Sequence, residues 1–275
     1  MDLLAPLSLI AFALVGALAG LLAGLFGIGG GIILIPIFIA VFRLAGFPAE
    51  HIVHIAFGTS LAIIIPTAIS SSLGHRKRGN LNHRQVARMA IGSVAGVAVG
   101  SSLAAGLPGD VLKGLFGLMQ VATGIRMIMH RDGHAPPEEP GYAPLLPVLL
   151  VGFAVGAFAS FFGVGGGVIA VPMMLILLRQ PIHLAVGNSS ALMVVSALTG
   201  AASYAWHGWG QPGLPPLSLG YVNLLVAALI VPATTVFARL GVRVASGLSR
   251  DKLTRSFAWF IIAVGIYMAI NAFAF

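Results

Sequence analysis

The sequence predicts an all-α polytopic membrane protein of two inverted repeats, each of about five membrane elements and each holding a Gly-broken helix. Three observations carry this reading. Of 275 residues, 58% are hydrophobic and only 8% charged, whereas a soluble domain carries roughly a quarter charged residues. The stretch Phe26-Gly27-Ile28-Gly29-Gly30-Gly31, closed by Pro36, returns 136 positions later as Phe162-Gly163-Val164-Gly165-Gly166-Gly167, closed by Pro172. The basic residues gather in a few loops, and the loop 206–217 has neither Lys nor Arg.

Each glycine knot interrupts a long apolar run. A glycine costs about 1 kcal/mol relative to alanine inside a helix, so a cluster of them argues for a break. A break within lipid leaves backbone N–H and C=O groups unpaired, which is tolerated only where it is buried in protein or lines a cavity. Gly-interrupted segments at matching positions of two halves point to a transporter's binding site.

Taken in order, residues 7–42 are apolar throughout and too long for one crossing, which needs about 20 residues. The first knot divides them near 26 and 32. Spans are expected at about 54–73, 86–106 and 111–129, the second of these rich in Gly and Ala and suited to close helix packing. The basic segment His75-Arg76-Lys77-Arg78 through His83-Arg84 separates the first two, and Pro108-Gly109 turns the chain before the third. Residues 130–144, with His134, Glu138, Glu139 and Pro140, read as a linker. The second half replays the first: 145–178 with its knot, then 183–205, 219–239 and 254–274. His54-Ile55-Ala56-Phe57-Gly58-Thr59-Ser60 matches His183-Leu184-Ala185-Val186-Gly187-Asn188-Ser189. The division is therefore repeat 1 at 1–130, a cytoplasmic connecting loop at 131–144, and repeat 2 at 145–275.

Charge sets the topology. Basic loops 75–88 and 239–255 belong in the cytoplasm. The knot-bearing runs must then enter and return on one side, so each is a hairpin. Each half has five elements, and an odd number inverts the second half relative to the first. Both chain ends are predicted outside an inner cell membrane. Residues 1–6 hold Asp2 and no Lys or Arg, so a cleavable signal is not expected.

The chemistry follows from what the membrane segments contain. A helix N-terminus carries about half a positive charge and favours anions. Gly27, Gly29, Gly30, Gly31, Gly163, Gly165, Gly166 and Gly167 would shape such a site near the midplane, or alternatively serve only tight packing. Thr59, Ser60, Asn188 and Ser189 would donate polar contacts, or act as helix caps and interhelical bonds. His54 and His183 are a candidate proton or anion relay, though an interfacial role is the plainer account. Arg43 and Arg179 close the short helices. All seven acids, Asp2, Glu50, Asp110, Asp132, Glu138, Glu139 and Asp251, fall in loops or at span ends. A cation or proton carrier usually keeps a carboxylate in the membrane, so an anionic substrate is favoured. Gln120, Asn223 and Asn271 are isolated polar residues expected in packing hydrogen bonds.

There is no cysteine, which excludes thiolate metal sites, disulfides and cysteine catalysis. No metal, cofactor or nucleic-acid site is expected, and no enzyme. The expected partners are a small anionic substrate and the lipid bilayer, and a homo-oligomer is compatible with both. An anion channel is the alternative class. A membrane-embedded enzyme would have only two histidines to work with.

The knots with Pro36 and Pro172, together with the Gly-Thr-Ser and Gly-Asn-Ser segments, resemble the TauE/SafE family of sulfite exporters across essentially the whole chain. The resemblance implies an anion permease, often an exporter, for sulfite, sulfonates or other sulfur-containing or small organic anions. It does not reveal the substrate, coupling ion or direction.

Overall fold

The computed structural model describes residues 12–21, 30–129, 144–245 and 250–272. Gly27, Gly29, most of the connecting loop and both chain ends lie outside them. Among the described residues run α1 (Phe12–Leu21), α2 (Gly31–Leu44), α3 (Ile52–Lys77), α4 (His83–Ala105) and α5 (Gly109–Met129). The second half holds α6 (Leu145–Phe161), α7 (Gly167–Leu177), α8 (Ile182–His207), α9 (Leu224–Ala245) and α10 (Arg250–Ile270). Four of these, α3, α4, α5 and α8, are long and apolar enough to cross a membrane. The chain is thus an all-helical, multi-pass membrane protein.

One element departs from expectation. Residues 218–223, expected to begin a span, form an antiparallel ribbon of β1 (Ser218–Leu219) and β2 (Val222–Asn223). The helix starts at Leu224 because Asn223 caps it, its Oδ1 accepting the Val226 N–H at 2.9 Å.

Small residues set the helix contacts. A β carbon at Gly92 or Gly96 on α4 would strike the backbone of Leu149 or Phe153 on α6. One at Gly152 or Gly156 would strike Met89 or Ser93 in return. The two backbones therefore touch, as the Gly/Ala content of this span predicts. Gly117 and Gly124 on α5 meet Gly265 and Ala258 on α10 in the same manner, and Gly16 and Gly20 of α1 meet Ile230 and Thr234 of α9. α3 packs on α8 and α9, and α8 also on α4. Exchanging α1–α5 for α6–α10 leaves this set of pairings unchanged. The core runs through the middle of it, with Phe38, Phe42, Phe57, Phe116 and Tyr204 fully buried.

Candidate functional site: two helix starts that meet

α2 and α7 begin with the same backbone. Gly30 (φ 78°) and Gly166 (φ 85°) are both left-handed N-caps, a conformation in which a side chain is strained. Gly30 O accepts the N–H groups of Ile33 and Leu34 at 3.0 and 2.9 Å. Gly166 O accepts those of Ile169 and Ala170 at 3.2 and 3.0 Å. The first N–H groups of a helix have no intrahelical partner, and no side chain caps either helix. Gly163 (φ 66°) and Gly165 (φ 72°) complete the second turn.

The knots touch. A β carbon on Gly31 would lie 2.8 Å from Val164 Cα and 3.3 Å from Gly163 O. α3 lies along the junction: Phe57 backs Gly163, and Ile64 reaches both Gly31 and Gly165. Ser60 falls three residues after Phe57 and four before Ile64, hence on the same helical face. It is fully buried, and its Oγ has no hydrogen-bond partner among the described residues. On α8, Met193 packs on Gly165, and Ser189 lies four residues before it.

Thr59 and Asn188 are engaged otherwise. Thr59 Oγ1 accepts the Asn223 N–H at 3.0 Å, and Asn188 Oδ1 accepts the Asn82 N–H at 2.8 Å. Asn82 and Asn223 are the caps of α4 and α9. Each thus fastens a long helix to the start of a later or earlier one, the capping-and-packing alternative weighed for them. His54 and His183 also part company. His54 is buried, stacks on Tyr221 and bonds Ala104 O at 3.1 Å, while His183 is exposed.

Sequence reasoning passed over Ser196 and Tyr204, and expected of Gln120 a packing hydrogen bond without naming its partner. Pro36 has no N–H to give to Ile32 O, four residues back. Gln120 supplies the missing donor, its Nε2 lying 2.9 Å from Ile32 O. Ser196 Oγ donates to Gly165 O at 2.9 Å, and the Tyr204 hydroxyl to Ser160 O at 2.9 Å. A proline one turn into a Gly-broken helix was the available signal that a side chain must serve the freed carbonyl.

Among the described knot residues, Gly30, Gly31 and Gly163–Gly166 are buried and Gly167 is half-buried. The cleft of about 320 Å³ between Trp209 and Leu219 lies at the ribbon, lined by no ionisable side chain and away from the knots. Glu50 and Asp110 are exposed at helix ends.

The sulfite exporter TauE/SafE profile matches residues 12–268, which include both knots and the helices around them. The chain belongs to the TauE/SafE family. A "Probable membrane transporter protein" of Haemophilus influenzae is 32% identical over 94% of this chain and 97% of its own length. Proteins so described from Methanocaldococcus jannaschii (28% identical; 98% and 96% covered) and Xylella fastidiosa (29%; 94% and 94%) are similar throughout as well. No solved structure matches the chain.

Proposed function

We propose that this membrane transporter moves a small anion, such as sulfite, a sulfonate or another sulfur-containing or organic anion, by alternating access at the paired knots. The observation that supports the reading most is the packing of Gly31 on Val164. It sets two uncapped helix starts against each other, and their free amide hydrogens favour negative charge. Gly27, Gly29, Gly30 and Gly31 would face Gly163, Gly165, Gly166 and Gly167 across the solute. Ser60 Oγ, buried with no partner, is the side chain best placed to join them. Ser189 would be its counterpart, while Thr59 and Asn188 would hold the frame. Because Gly30, Gly31 and Gly163–Gly166 are buried, solute would reach them when the helices around them part.

In this reading the two halves are inverted repeats, in keeping with the exchangeable helix pairings. The exposed Arg76, Lys77 and Arg78 support a cytoplasmic α3–α4 turn. Both chain ends then lie outside an inner membrane, and no enzymatic step is involved.

The test is thermal shift together with uptake into proteoliposomes, screened across sulfite, thiosulfate, sulfonates and carboxylates. Saturable flux with counter-flow of one such anion is expected. Stabilisation and transport of cations alone would end the reading, and flux without saturation or counter-flow would make the protein a channel.

A further inference from the structure

Three residues before His54 and His183 stand His51 and Gln180, matched positions at the starts of α3 and α8. Each holds a buried side-chain nitrogen with no hydrogen-bond partner: His51 Nε2 and Gln180 Nε2, in residues 9% and 4% exposed.

At Gln180 the orientation is forced. The Asn82 N–H can only donate, so Asn188 turns its Oδ1 to it at 2.8 Å. Asn188 Nδ2 must then face outward, and it donates to Gln180 Oε1 at 3.2 Å and to Gln85 Oε1 at 3.5 Å. Both glutamines meet Asn188 with their oxygens, which leaves the Gln180 NH2 group without an acceptor. The backbone holds it there: Arg179 is in the left-handed region (φ 48°), and the Gln180 N–H closes on Met174 O at 3.2 Å. An unmet buried donor costs about 1–3 kcal/mol, so it asks for an acceptor. The nearby end of α3 presents His75 within electrostatic reach of Arg78 and His183. Its Nδ1 is also buried without a partner.

The matched position has a carboxylate beside it. Glu50 Oε1 stands 3.4 Å from His51 Nε2, and the Tyr221 ring centroid lies 5.5 Å from that of His51. A carboxylate there repels an incoming anion.

We infer that Gln180 Nε2, oriented by Asn188 and Asn82, is the donor of an anion subsite at the mouth of α8, and that the matched His51 position is not one. The subsite accepts an oxyanion oxygen, from a sulfur oxyanion or a carboxylate. Its role in transport rests on the anion-carrier reading, but the binding does not.

The experiment measures binding of sulfite, methanesulfonate and acetate to the purified full-length protein, and flux of the same anions from each face of oriented proteoliposomes. Gln180→Glu keeps the shape and replaces the donor, and Gln180→His restores an N–H should the first variant fold poorly. Anion affinity is expected to fall about tenfold or more in Gln180→Glu and to return in part in Gln180→His. The half-saturating concentration should rise only at the face bearing the α3–α4 turn, and His51→Gln should leave affinity unchanged. Wild-type affinity in Gln180→Glu overturns the subsite while saturable anion flux still supports the carrier. Anion flux from the wild type with no measurable binding overturns it too. A wild type that neither binds nor moves any anion overturns both.

Discussion

α2 and α7 start from the same glycine conformation and the same pair of backbone hydrogen bonds, yet they are held differently. α2 buries Gly31, Ile32, Ile33, Leu34, Ile35, Phe38 and Phe42, whereas α7 buries only Ala170 and Met174. Each has a proline that frees a carbonyl in its first turn, on Ile32 and on Val168. Gln120 of α5 bonds the first. Gln120 lies four residues before Gly124, a contact residue of α5 on α10, and the residue four before Gly265 on α10 is Ile261, whose side chain has no donor to offer. α7 is instead tied just before it starts, by Ser196 to Gly165 O, and the preceding α6 by Tyr204 to Ser160 O. Moving α2 therefore means breaking more packing than moving α7, and a buried amide bond besides.

The sharpest way to break this comparison is to fill the junction. Gly31→Leu is expected to cost about 3 kcal/mol, because its β carbon meets backbone and not a movable side chain. Thermal unfolding in detergent measures it, and wild-type stability would mean that the knots do not touch. Gln120→Leu is expected to cost about 2 kcal/mol by stranding Ile32 O. In a Pro36→Ala background the new backbone N–H at position 36 takes that carbonyl, so the same substitution should lose most of its effect. A double-mutant cycle with no coupling would refute the account of Gln120. Ser196→Ala should cost about 1 kcal/mol. It should also raise amide hydrogen exchange at 165–170 with little change at 31–35. Equal changes in both arms would erase the distinction. His183→Gln, at an exposed position, should stay within about 0.5 kcal/mol, as the same unfolding measurement would show.

The helical class was legible because lipid allows few alternatives: the charge-poor composition, the knots and the Gly/Ala span each had one structural outlet. The break at Gly30 and Gly166 was readable from glycine density alone. The roles of the polar residues were not. Thr59 and Asn188 look like site residues in the sequence, and their use as acceptors for Asn223 and Asn82 depends on contacts over a hundred residues away. The ribbon at 218–223 was hidden because two-residue strands have no periodicity to display, and Leu217–Leu224 reads as the edge of a span. Gln120 and Gln180 were each one amide among many until the carbonyl or the donor chain beside them was seen.

The ribbon at Ser218–Asn223 makes the two ends of the α3–α8 pair mechanically unlike. It is stitched to α8 by the Tyr221 N–H on Tyr204 O at 3.2 Å and to α3 by the Asn223 N–H on Thr59 Oγ1 at 3.0 Å. Spreading the pair at that end must tear one stitch or the other, so the ribbon has to choose a side and ride with it. The opposite end is joined by a side-chain bond, Ser71 on Ser190 at 3.0 Å, with no inserted strand between the helices among the described residues. Rotamers can follow a hinge where a backbone ribbon cannot, which gives the molecule an easy door and a stiff one.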